Sequence, residues 1–221
     1  GAGGGDDITH GAVGSKRYRA TFKGPGGHSY GAFGLVKPAV AMGNAIQKFA
    51  RIQVPASPKA TFNVGVMGGG TSVNSIPFES WMEVDMRSES RAELEKVSET
   101  FIGILNEAVA EENKARSTRL GPIQLDLKLV GDRPSGQTPK DSPLVLTAAA
   151  AIRAAGMTPT YSFSSTDSNI PISLGIPAIT IDSGGRGGRA HALDEWIDVE
   201  KSSSLRGIQS ALLLLLTMAG T

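Results

Sequence analysis

Apolar positions change period several times along the chain, and each change marks an element. Over 16–23, Tyr18, Ala20 and Phe22 share one face and Arg17, Arg19, Thr21 and Lys23 the other, the period-two signature of a half-buried strand. Gly24-Pro25-Gly26-Gly27 breaks that run, and Pro38 suits the first turn of a helix reaching about Arg51. Alternation returns over 60–67, with Phe62, Val64 and Val66 together. It recurs over 78–87, with Phe78, Met82, Val84 and Met86 opposite Glu79, Glu83, Asp85 and Arg87. Over 91–113 the spacing switches to three and four (Leu94, Val97, Phe101, Ile104, Leu105, Ala108). This predicts an amphipathic helix capped by Ser90, with Glu93 completing a capping box. A last clean alternation covers 123–130. The order β-α-β-β-α-β predicts a ferredoxin-like region, an antiparallel sheet with two helices on one face.

Beyond Gly131-Asp132-Arg133-Pro134 the chain alternates α and β. Ser142 and Pro143 open a helix to about Ala155, and 159–163 reads as a short strand. Asp167 or Ser168 caps a short helix that Gly175 ends. The run 177–181 is apolar at nearly every position, as expected of a strand buried on both faces of a parallel sheet. Asp198 is expected to cap a last helix with Leu205, Ile208, Leu212 and Leu215 on one stripe. The fold class is therefore α/β, with an α+β ferredoxin-like first region and a second region of different architecture. They meet near 130–139.

Composition narrows the function. The chain has 221 residues, 40% of them hydrophobic, enough for one or two domains with real cores. Its 22 Lys+Arg against 21 Asp+Glu leave no field to draw nucleic acid or an anionic membrane. The apolar run 211–216 is far short of the roughly 20 residues that span a bilayer. With no Cys, disulfides, thiolate zinc ligands and a cysteine nucleophile are excluded. The three His are scarce for a catalytic zinc, which takes about three protein ligands.

Candidate chemistry gathers in glycine-rich loops. His191, near Asp194 and Glu195, follows a buried strand, where α/β sheets place ligands. Neutral imidazole ligates zinc and neighbouring carboxylates orient it, while the plainer reading is a solvated loop histidine beside helix-start acids. His28, in GPGGHS, is suited to polarising a carbonyl oxygen, or is a surface histidine in a tight loop. The run 68–74 (GGGTSVN) offers backbone N–H groups to an anion without a P-loop lysine, or is a hairpin connection. Asn169, at a short helix start, is placed to grip a carboxylate or to cap the helix. Arg87, at a strand end, is a bidentate carboxylate clamp or a solvated charge. His10 reads as incidental. GxSxG is absent, against a serine hydrolase elbow.

Taken in order, GPGGHSYGAFG, NVGVMGGGTSVNSIP, VDMR, GDRPSG, STDSNIPISLGIPA and GGRGGRAHALDEWID resemble the co-catalytic zinc metallopeptidase family. That family includes carboxypeptidase G, acetylornithine deacetylase, succinyl-diaminopimelate desuccinylase, peptidase T and aminoacylase. The resemblance implies a lid, or dimerisation, domain at 15–131 and the C-terminal part of a zinc-binding catalytic domain at 132–221. Residues 1–14 would be a remnant of that catalytic domain or a linker. It also implies a homodimer formed through the lid and two zinc ions in the parent enzyme. The substrate would be a peptide or N-acylamino acid cleaved at an amide bond beside a free carboxylate, and neither nucleic acid nor membrane is a partner. His191 matches the C-terminal zinc ligand. His28 matches the lid histidine that reaches the partner's active site and stabilises the oxyanion. Asn74 matches a lid position meeting substrate there, Arg87 a lid arginine binding substrate carboxylate in some members, and Asn169 a substrate-contacting position.

The family's HxD motif, bridging Asp and Glu-Glu pair precede the lid and have no counterpart in this chain. The expectation is a C-terminal fragment that alone neither holds zinc tightly nor hydrolyses amides. Its 140–220 region would lack strand neighbours and be less stable than the lid. The alternatives are a non-catalytic dimerisation module and a degenerate homologue binding a carboxylate ligand. A cytoplasmic location is expected, with any signal peptide lying upstream of Gly1.

Overall fold

The computed structural model describes residues 4–220, so Gly1–Gly3 of the expected 1–14 segment and Thr221 lie outside the described residues. The chain divides into two compact units, one of 14–133 and one combining the preceding segment with 134 onward. After β1 (Asp7–Ala12), the first unit runs β2 (Gly14–Lys23), β3 (Gly27–His28), α1 (Pro38–Phe49), β4 (Ala60–Gly69), β5 (Ser75–Ile76), β6 (Glu79–Ser88), α2 (Arg91–Ala115) and β7 (Gln124–Arg133). Then follow β8 (Gly136–Gln137), α3 (Pro143–Ala154), β9 (Thr160–Ser164), α4 (Asn169–Ser173), β10 (Thr180–Ile181), β11 (Arg186–Gly188), β12 (Trp196–Asp198) and α5 (Lys201–Ala219). No helix among the described residues is long and apolar enough to cross a membrane.

In the 14–133 unit the long strands lie in the order β4-β6-β2-β7, every pair antiparallel, which is the ferredoxin-like arrangement. Alternation puts Tyr18, Ala20 and Phe22 of β2 and Met82, Val84 and Met86 of β6 into one core with Ala41, Ala45 and Phe49 of α1 and Leu94, Phe101 and Leu105 of α2. Phe49 lies 4.8 Å from Phe101 and 4.5 Å from Phe62, ring centre to ring centre. Ser90 Oγ caps α2 by accepting from Glu93 N, but the Ser90 N–H turns to Ser88 Oγ, so the reciprocal half of the expected capping box is not made.

Two bulges move residues away from their expected faces. The register slips between Val64 and Val66, so Val66 sits opposite Glu83 on the outer face and is about half exposed, not beside Phe62 and Val64. A second slip, between Arg17 and Tyr18 against β7, lets that strand continue to Arg133, beyond the break expected at Gly131.

In the other unit β1 is the central strand, one that alternation along the chain does not predict. It pairs with β9 in parallel along its length and antiparallel with β10 and β8. β10 is thus shorter than the expected 177–181 run, antiparallel to its neighbour and half-buried instead of buried on both faces, because an apolar run fixes neither strand direction nor the depth of burial. Ile8, Val145, Ala148, Ala149, Ile152 and Leu214 form the core. The expected α5 stripe is not what packs. Gly207, Ser210 and Leu214 face the core, while Leu205, Ile208, Leu212 and Leu215 are each half exposed or more. The cause is the close approach of Gly207, where a Cβ would lie 2.4 Å from Gly184 N. Asp198 belongs to β12 and accepts from Glu200 N instead of capping α5.

Candidate functional site

Two sets of expected residues occupy two places in the 14–133 unit. β3 and β5 pair antiparallel, with Gly27 opposite Ile76 and His28 opposite Ser75. Ser29 N–H donates to Asn74 O at 2.8 Å. The approach to this ribbon needs glycine. Gly26 and Gly27 have φ of 70° and 147°, and a Cβ on Gly27 would meet Ala32 Cβ at 2.8 Å. His28 is exposed, and its Nδ1 accepts from the backbone N–H groups of Tyr30 (3.2 Å) and Gly31 (3.4 Å). That pattern assigns the hydrogen of the neutral ring to Nε2, an outward donor. Asn74 Oδ1 accepts from Ser72 Oγ at 2.9 Å. An open cavity of about 380 Å³ is lined by His28, Asn74, Thr71, Ser75, Gly27 and Phe78, among others. The structure therefore brings His28 and Asn74 together.

Arg87 is not in that cavity. It lies near the far end of β6, paired in register with Ser15 and Thr61, whereas Glu79 at the near end is paired with Lys23. Eight residue steps along the strand separate Glu79 from Arg87, about 27 Å at roughly 3.4 Å each. Arg87 Nε donates to Asp85 Oδ2 at 2.6 Å, and Arg17 Nε to Asp85 Oδ1 at 2.7 Å. Partial burial pushes the Asp85 carboxyl up, but the two guanidinium groups outweigh it and hold the group below its ordinary value.

In the other unit His191 occupies the connection between β11 and β12. It has φ 67°, and Arg189 φ 57°, both in the left-handed region that non-glycine residues seldom enter. The two carboxylates expected beside the imidazole are used on the loop itself. Glu195 Oε2 accepts from His191 N at 3.2 Å, and Asp194 Oδ1 from Arg189 Nε at 2.6 Å. They shape the loop and leave the exposed His191 side chain outside the turn. A cavity of about 570 Å³ alongside is lined by Gly188, Arg189, Glu195, Trp196 and Ile197. Among the described residues no three His, Asp or Glu side chains come together as a metal site. The described residues alone therefore do not make up a zinc centre, and His191 could supply no more than one ligand to one.

Asn169 is fully buried at the first position of α4. Its Nδ2 donates to Val13 O and to Pro134 O, both at 2.8 Å, and its Oδ1 accepts from Thr166 N at 2.9 Å. Every hydrogen on its amide is committed inside the unit.

His10, which reads as incidental in the sequence, is 4% exposed. Its Nδ1 lies 2.9 Å from Thr138 O, and its ring meets Phe163 and Tyr161 edge-on. The signal for it is Gly11, where a Cβ would collide with the Phe163 ring, marking close packing on β1. Asp182 carries no sequence signal at all. Burial, then the nearby Asp7 carboxylate, raises its carboxyl above the ordinary value.

Comparison with known proteins bears on this geometry. Residues 10–113 match the family described as the peptidase dimerisation domain. Among solved structures, the chain is similar to aminopeptidase PepT from Bacillus cereus at 19% identity and TM-score 0.74, covering 99% of this chain and 56% of that one. It is similar to an amidase of the hydantoinase/carbamoylase family from Burkholderia vietnamiensis at 18% identity and TM-score 0.76, covering 96% and 50%. It is similar to the YXEP protein of Bacillus subtilis, described as a dinuclear metal binding peptidase from the M20 family, at 19% identity and TM-score 0.65, covering 97% and 54%. No curated protein matches. The chain thus spans about half the length of the solved structures it matches. At these identities the likeness is one of fold.

Proposed function

We propose, on the premise that residues 10–113 form a peptidase dimerisation domain of the M20 type, that this chain is the dimerisation domain and C-terminal catalytic part of a zinc-dependent amide hydrolase. Its substrate is a peptide or N-acylamino acid cut beside a free carboxylate, and the working enzyme is a homodimer. The observation that carries the reading is the union of His28 and Asn74 in one open cavity, with an outward Nε2 donor on the imidazole.

A donor held on a backbone ribbon is what a developing oxyanion requires, because it needs no rearrangement as charge builds. The Nδ1 bonds from Tyr30 and Gly31 fix both the ring and its tautomer. The Asn74 side chain adds a neutral donor for substrate, whereas Arg87, outside that cavity and bonded to Asp85, offers its guanidinium to a substrate carboxylate only from a different subunit than His28 and Asn74. His191 supplies one metal ligand, the remaining ligands and the general base belonging to a segment outside this chain. A bound zinc pair would polarise the amide carbonyl. Of the expected substrate contacts Asn169 carries least, its amide being spent internally.

The exposed apolar faces of α4 and α5, Ile170, Leu174, Ile208 and Leu212 among them, support a neighbouring segment that covers them in the parent. A second reading, a non-catalytic dimerisation module, is favoured by one observation: the 14–133 unit has its own closed core and sheet. Reading the coding sequence upstream of Gly1 separates the two. In-frame HxD and Glu-Glu motifs, followed by dipeptide or N-acylamino acid hydrolysis by the longer product, support the enzyme. Their absence supports the module.

A further inference from the structure

The chain passes from one unit to the other twice with almost no linker. β1 ends at Ala12 and β2 starts at Gly14, while β7 ends at Arg133 and β8 starts at Gly136. The two crossings lie side by side, because Ala12 pairs with Gly136 and Gly11 with Gln137. One amide reaches both. Asn169 Nδ2 has two hydrogens; one goes to Val13 O on the outgoing crossing and one to Pro134 O on the returning crossing. The Oδ1 bond from Thr166 N fixes which end of the amide faces the carbonyls.

We infer that Asn169 is a positioning residue that staples the outgoing and returning chain crossings into a single rigid footing. Other bonds anchor the same footing. Val13 N donates to Ser164 O at 2.9 Å, and Thr138 N to His10 O at 2.9 Å. Thr138 Oγ1 donates to Ala178 O at 2.6 Å. Only Asn169 ties one crossing to the other through a side chain among these contacts. Gly14 and Arg133 are themselves held in the ladder, Gly14 opposite Ser88 and Arg133 opposite Ser15. Arg133 precedes a proline and is itself restricted, and Pro134 has its φ fixed by the ring. This assignment stands whether or not the parent is a hydrolase.

Asn169→Asp tests it, since a carboxylate cannot donate to two carbonyl oxygens. The readout is residue-resolved amide hydrogen exchange on the full chain. Exchange at Val13 and Thr138 is expected to rise about tenfold or more, with the amides of α3 and of β2 unchanged. Uniform acceleration across the whole unit would show ordinary packing and overturn the assignment, as would no change at Val13 and Thr138. Should the Asp variant fail to fold, Asn169→Ser, neutral and smaller, is read by the same criteria.

Discussion

The backbone N–H of Ser29 donates to the carbonyl oxygen of Asn74 at 2.8 Å, and through that bond His28 and Asn74 share one cavity. If His28 serves the partner's site while His191 serves its own, the two act in different subunits. In a product extended upstream of Gly1, His28→Ala is then expected to lower kcat by roughly 10²–10³ with little change in KM, the scale for losing one oxyanion donor. Mixing His28→Ala with His191→Ala homodimers under exchange conditions then restores about a quarter of the wild-type sites, since half the dimers are mixed and each holds one intact site. Steady-state rates on the mixture check this; no recovery would place His28 in its own subunit's site.

Gly69 has φ 121°, and a Cβ there would lie 2.6 Å from Glu79 O. Gly69→Ala is expected to destabilise the 14–133 unit by roughly 1–3 kcal/mol. Gly43, exposed within α1 and with no atom within 4 Å of where a Cβ would stand, is the control. Gly43→Ala should stabilise by about 0.5–1 kcal/mol. Urea unfolding of both variants gives opposite signs if the backbone argument holds.

Glu112 is 1% exposed and bridges two helices. Oε1 accepts from Lys37 N, which precedes α1, at 2.7 Å, and Oε2 from Arg116 at 2.5 Å. Glu112→Ala leaves that half-buried N–H unpaired and is expected to cost about 1–3 kcal/mol. Glu112→Gln keeps an acceptor and costs less. Equal losses in chemical denaturation would contradict the account.

Burial and the Asp7 carboxylate raise the Asp182 carboxyl. The folded chain therefore holds this proton more tightly than the unfolded chain does. Stability from this group is present below the ordinary value of 3.8 and is lost as pH rises through the raised folded value. Asp182→Asn should raise the melting temperature at pH 7, with the gain vanishing below that ordinary value. A lower melting temperature at pH 7 would mean that the charge is stabilising.

The 14–133 unit is largely legible in the sequence because alternation over β2 and β6 reports which face is buried, and Leu94 to Ala108 keep helical spacing. The bulges at Val64/Val66 and Arg17/Tyr18 are not, since one extra residue shifts the face without changing composition. β1 leaves no alternation to read. All but the first of its residues are buried, and Thr9 and His10 reach Ser162 and Thr138 through tertiary contacts. His28 and Asn74 stand out through their glycine-rich settings. The separation of Arg87 from them and the internal commitment of Asn169 depend on register and packing that spacing does not encode.

The central claim, that His191 is one ligand of a zinc site completed by a segment outside this chain, is tested most directly by metal content. Zinc is measured by elemental analysis after dialysis, on this chain and on the product extended upstream. The account predicts no stoichiometric zinc on the chain alone and two ions per protomer on the extended protein. Stoichiometric zinc on this chain alone, or none on the extended protein, would contradict it.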